Sequence, residues 1–304
     1  MKNQILTIVT LLFLISCGKS EKPIEPEKIQ DSVVITPKES EIKEVETPIY
    51  NYEKDSDFSK ELDLVLLSKV ATNLKIKYED IETNKTSSIV YSDETAFFTI
   101  TYVAKKWKEG IENWEENDGD YLERIYVFVN KSNGRIIDKV LDDESCVYEN
   151  EALKVEKTEI FKKLIKLNEN ITGIMLSTLY YVSAHDVGYD ETKFSILALD
   201  GNKIIKLVYA YPIQIENSDS LDGDVLEKET RNSTISISDS ATNGFFDLKI
   251  SKFFKYEKGK ITDFENENND KIIHKNKKES QVLKFNGKIY LFNSEDRLRF
   301  LTNY

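Results

Sequence analysis

Histidine and cysteine are almost missing from this chain of 304 residues, which holds two of each. They are His185 and His274, Cys17 and Cys146. The usual zinc sites draw three or four ligands from these types, so those motifs are excluded. Cys17 lies in an apolar N-terminal segment, which leaves Cys146 alone in the rest of the chain. A disulfide inside that part is therefore impossible, even in an oxidising compartment. Glycine is scarce too, and neither a phosphate-binding glycine loop nor a Gly-x-Ser-x-Gly run occurs. Positive charge is in deficit: 42 Lys and Arg against 54 Asp and Glu give a formal net charge of −12. Nucleic-acid binding rests on a basic surface, so that class is excluded.

Ser183, His185 and Asp186 sit too close in sequence to converge as a hydrolase triad. His185 is read as a solvated loop residue. Asp219, Asp222, Asp224 and Glu229 make an acidic stretch around Gly223. Setting Gly223 at position 6 of a calcium loop puts Glu229 at 12 and Asp222 at 5, but serines at 1 and 3. The stretch reads as a loop tip, and no metal, cofactor or catalytic residue is assigned. Asp219, Asp222 and Asp224 remain candidate binding residues. Trp107 continues a strand and reads as core, with Tyr102 nearby. Trp114 lies in a polar loop and is the candidate exposed anchor for a sugar or a partner.

Lys2 gives a positive start, and Ile5 to Ile15 is almost wholly apolar. That run is too short to cross a bilayer, which takes about 20 residues, and has the length of a signal-peptide core. It ends in Leu14-Ile15-Ser16-Cys17-Gly18. This resembles the lipobox of bacterial lipoproteins. The resemblance implies cleavage after Ser16, a diacylglycerol on the Cys17 sulfur and a further acyl chain, such as palmitate, on its amino group. Two or three acyl chains hold a protein firmly, at ~0.8 kcal/mol per buried methylene. Gly18 stands where an Asp often retains such proteins in the inner membrane, so the resemblance implies the outer membrane. Lys19-Ser20-Glu21-Lys22 is loosely similar to the signal that sends some Bacteroidetes lipoproteins to the cell surface.

Residues 17–57 carry four of the five prolines, among many Glu and Lys, and no aromatic before Tyr50. Such a stretch buries too little apolar surface to offset its ordering entropy. It is expected to be a disordered tether with a reach on the order of 35 Å.

The body is expected over 58–304 and reads as mainly β, rich in Phe, Tyr, Ile and Val. One amphipathic helix is expected over Phe58 to Ala71. Three strand patterns begin at Phe97, Ile174 and Phe245, and each is followed by a hairpin. The hairpins turn at Asn133-Gly134, Asp200-Gly201 and Asn286-Gly287. Asn-Gly and Asp-Gly tolerate positive φ at both central positions. Repeated hairpins predict blade-like units in a β-propeller-like body, with a β-sandwich as the alternative.

The segment Asn243-Gly244-Phe245-Phe246-Asp247-Leu248, with a closing Lys284 to Tyr290, resembles an ending found in uncharacterised secreted bacterial proteins. Some periplasmic lipoproteins that inhibit wall-degrading toxins have a similar ending on a propeller-like fold. Their Asp-rich calcium loops have no counterpart here.

The function expected is that of a membrane-anchored envelope lipoprotein, facing the periplasm or the cell surface. Its β-rich body is expected to bind a protein or glycan and to catalyse nothing. The alternatives are an immunity-type inhibitor of a cell-wall hydrolase, and a glycoside-active enzyme with unrecognised carboxylates.

Overall fold

The computed structural model describes residues 48–292, except 55, 61, 107–118, 150–151, 184–186, 222–223 and 267–268. The expected leader, Cys17 and most of the expected tether lie outside the described residues. So do Trp107, Trp114, His185 and Asp222.

The chain forms β1 (Pro48–Asn51) and α1 (Leu64–Leu74), then β2 (Ser87–Val90), β3 (Thr95–Lys105), β4 (Tyr121–Asn130), β5 (Ile136–Leu141) and β6 (Val147–Tyr148). There follow β7 (Leu153–Ile160), β8 (Ile165–Lys166), β9 (Thr172–Ser183), β10 (Val187–Asp200), β11 (Lys203–Leu221), β12 (Val225–Thr242) and β13 (Phe245–Lys260). A short helix, α2 (Ile261–Glu265), precedes β14 (Ile273–Leu283).

The protein is mainly β, as its composition predicts. The strands form two antiparallel sheets. A five-stranded sheet runs β2-β3-β4-β5, with β6 on β4. A nine-stranded sheet runs β14-β13-β12-β11-β10-β9-β7, with β1 on β12 and β8 on β9, and it curls into a half-barrel. The three look-alike strands are β3, β9 and β13. The first lies in the smaller sheet, and the other two share the larger one.

Period-2 alternation explains the layering. On β3 and β4, Phe98, Ile100, Ile125, Val127 and Val129 face one way and pack on Leu66, Leu67, Val70 and Ala71 of α1. Phe97, Tyr126 and Phe128 face the other way and meet Ile160, Ile174, Leu176 and Leu197 of the large sheet. The small sheet is thus sandwiched between a helix and the large sheet. Inside the curl a separate core forms around Phe194, Tyr211, Ile235, Ile250 and Tyr290. The curl is assisted where Ala210 takes φ 54° in β11, beside register shifts against β10.

The helix begins later than the sequence predicts. Residues from Phe58 onward first run extended: Phe58 bridges Phe161, and the Ser59 N–H donates to the Ile160 carbonyl at 2.7 Å. Asp63 then caps α1, its Oδ1 accepting from the Leu66 N–H at 2.8 Å. Lys75, at φ 60°, ends it. The folded body also starts earlier than Phe58, since Pro48–Asn51 pairs with β12. Tyr50 inserts among Phe161 and Phe194 there, and that burial outweighs the proline-rich context.

The turn at Asn286-Gly287 forms as expected, with the Asn286 side chain accepting from the N–H groups of Lys288 and Ile289. The expected ladder after it does not form. Only Phe285 and Tyr290 bridge, because Gln281 to Leu283 are paired with β13 instead. Tyr290 turns inward, and its hydroxyl donates to the Phe246 carbonyl at 2.6 Å. The β12–β13 hairpin turns at Asn243 and Gly244, with φ 51° and 80°. Positive φ at both positions is the geometry that matches strand twist.

Candidate functional site

Directly opposed residues of antiparallel strands point to the same face. The register sets Leu179 of β9 against Thr192, Thr192 against Gln214, and Gln214 against Asn232. Four strands therefore present one cross-strand row. Two residues along, Asp190, Glu216 and Thr230 form a second row on the same face. Neighbouring strands lie about 4.8 Å apart, so the polar groups of β10, β11 and β12 in each row stand at that spacing. None of these side chains is buried.

The rows floor a groove. One hollow, of about 250 Å³, lies over Asp190, Gln214, Glu216, Thr230 and Asn232. A second, of about 430 Å³, extends toward Tyr52, Phe58, Glu156 and Glu159. Leu179, Thr192 and Gln214 line both, so the two are continuous. Along it Lys228 Nζ reaches Glu216 Oε1 at 2.7 Å. Burial, then Glu53, raises the Tyr52 phenol above its usual value, and burial pushes Tyr50 up to about 12. Both stay neutral hydroxyls at physiological pH. The groove thus offers amides, hydroxyls and aromatic edges that hydrogen-bond and stack, together with the carboxylates of Asp190 and Glu216.

A polar cluster between the sheets holds this floor in place. Arg124, 1% exposed, donates through Nε to Thr101 Oγ1 at 2.9 Å and through Nη1 to Ser145 Oγ at 3.0 Å. The same guanidinium reaches Thr158 Oγ1 at 2.8 Å and the Glu156 carbonyl at 2.7 Å. Thr158 in turn bonds Thr178 at 2.7 Å. Alongside, the Tyr126 hydroxyl donates to Asp142 Oδ2 at 2.5 Å, and the Tyr209 hydroxyl lies 2.7 Å from Asp142 Oδ1. Burial, then the Asp142 charge, lifts both phenols far above their usual range. They are fixed donors, not bases.

Of the residues singled out from sequence, Asp219 and Asp224 are exposed near the end of the β11–β12 hairpin. Glu229 is not with them: it is fully buried on β12. Tyr102 donates to Glu123 Oε2 at 2.6 Å, which ties it to β4. Cys146 is half-buried, and burial raises its thiol pKa. Among the described residues no group of three His, Cys, Asp or Glu side chains converges as a metal site. Thr192, Gln214 and Asn232 were not among the candidates, because single polar residues in a strand look like any solvated face. The available signal was the unbroken polar run from Glu227 to Thr234, too polar for a strand with one dry side.

No protein-family model matches the chain, and no curated protein or solved structure matches it. Among the described residues no helix is long and apolar enough to cross a membrane.

Proposed function

We propose that this protein is an envelope lipoprotein, acylated at Cys17 and held at the outer membrane, whose β-rich body is a non-enzymatic binding module. The anchor rests on the apolar run Ile5 to Ile15 and the Leu14-Ile15-Ser16-Cys17 sequence. The observation that carries the binding role is the continuous groove floored by Thr192, Gln214 and Asn232. Its uncharged donors and acceptors suit a hydroxyl-rich ligand such as a glycan, or the polar backbone of a protein segment.

Two measurements test this. Cys17→Ser protein should appear in the soluble fraction; if it still pellets with membranes and resists salt washing, the anchor is wrong. The full chain should bind members of an array of envelope glycans and proteins without consuming them. A Gln214→Ala/Asn232→Ala variant should lose that binding.

A second reading, a glycoside-active enzyme, is favoured by one observation. Asp190 and Glu216 are cross-strand partners in the groove. Retaining glycosidases place two carboxyls about 5–5.5 Å apart. Lys228 Nζ stands 2.7 Å from Glu216 Oε1 beside them. Release of reducing sugar from any glycan, abolished by Asp190→Asn, would replace the binding proposal with this one.

A further inference from the structure

A different concavity lies at the start of α1, on the small sheet. It is a cleft of about 460 Å³ between α1, the edge strand β2 and the loop after β7. Its apolar walls are Leu66, Ile89, Val90, Ala96, Phe98 and Leu164, beside Ser59 and Ser88. Three lysines reach its rim from three separate places: Lys60 before α1, Lys131 after β4, and Lys162 after β7. The single carboxylate in the lining, Asp63, is committed to the α1 cap, its Oδ1 accepting from Leu66.

This reverses the local charge on a chain whose acids outnumber its bases. Lys162 Nζ meets Asp57 Oδ1 at 2.8 Å, but both side chains are exposed and such a pair contributes little. Lys60 and Lys131 make no ion pair with a described residue. Gathering like charges around apolar walls is unfavourable unless an anion joins them. The volume lies within the range of small-molecule sites, about 300–1,000 Å³.

We propose that this cleft binds an amphiphilic anion. Its carboxylate or phosphate head is held by Lys60, Lys131 and Lys162, and its apolar tail lies over Ile89, Val90 and Leu164. The head group recruits by charge, and the tail supplies the free energy of apolar burial.

The test uses the full chain in whole cells. Cells are treated with photo-reactive, alkyne-tagged lipid probes that share one tail and differ in head: a fatty carboxylate, a phosphate monoester and a fatty alcohol. Cross-linked peptides are then mapped by mass spectrometry. Labelling by either anionic probe should fall on residues 59–66, 88–98 or 160–164, and the head that labels more strongly identifies the ligand's source. The alcohol should label these peptides about tenfold less, as should either anionic probe on a Lys60→Glu/Lys131→Glu variant; a loss of ~1.4 kcal/mol has that effect. Both lysines are exposed, so the variant should keep its melting temperature. Equal labelling by the alcohol, cross-links spread over the chain, or undiminished labelling of the charge-reversed variant would overturn the proposal.

Discussion

The Arg124 guanidinium donates to the Thr158 hydroxyl at 2.8 Å, and this bond crosses from the five-stranded sheet to the nine-stranded one. Arg124 is 1% exposed and Thr158 fully buried. The contact belongs to the polar cluster that registers the two sheets where their apolar faces also meet. Truncating one member of such a buried network leaves its partners desolvated and unmade. Arg124→Ala is expected to lose about 3–5 kcal/mol by denaturant unfolding. Thr158→Val removes one hydroxyl and is expected to lose about 1–3 kcal/mol. Equal costs for the two changes would mean that the guanidinium does not organise the cluster.

The groove floor should behave in the opposite way. Gln214 and Asn232 are partly exposed on an open sheet face. Replacing either with Ala should change stability by less than about 0.5 kcal/mol, while ligand binding is lost. A large fall in melting temperature would show these side chains to be structural and would remove the groove as the binding site.

Alkaline pH should unfold the protein. Burial raises Tyr50 and Tyr211 to about 12, and burial raises Tyr126 as well. In the unfolded chain these phenols ionise near 10. Above that pH the folded state keeps protons that the unfolded state loses, so stability falls as pH rises. The stabilisation is complete below about pH 10, and each such tyrosine removes up to ~1.4 kcal/mol per unit between about pH 10 and 12. Unfolding midpoints across that window should fall steeply. Phenolate absorbance should lag behind that of denatured protein and then appear cooperatively. Ionisation of every tyrosine near 10 in folded protein would contradict the burial described.

Two turn glycines should differ in their tolerance of a methyl group. Gly134 and Gly201 both have positive φ, 73° and 57°. A Cβ on Gly201 meets nothing within 4 Å, whereas one on Gly134 would sit 2.8 Å from Lys69 Cβ on α1. Gly201→Ala should therefore lose only the backbone strain, about 1–2 kcal/mol. Gly134→Ala should lose more, since it also pushes the helix off the small sheet. Equal losses would mean that α1 yields freely.

Much of the architecture was legible in local pattern. Alternating Phe, Ile and Val specified the strands, and Asn-Gly and Asp-Gly pairs placed the turns, because steric limits on φ act within two or three residues. The helix was legible and its start was not: Phe58 has the right period for α1 but is taken by Phe161, far along the chain. Ile235 and Tyr50 meet only because β1 joins β12, and nothing near Pro48 signals that partner.

The candidate site was the least legible part. A threonine, a glutamine and an asparagine on three strands carry no motif, and register alone brings Thr192, Gln214 and Asn232 into line. The same holds for Arg124, whose partners come from three separate stretches of chain. By itself the sequence determined that the chain is mainly β, acidic and poor in histidine and cysteine, since these follow from composition and short-range sterics. Only the tertiary structure decided which strands share a sheet, which polar residues are buried together and which are left open in a groove. Those outcomes depend on contacts between residues distant in sequence, where burial and hydrogen bonding outweigh local preference.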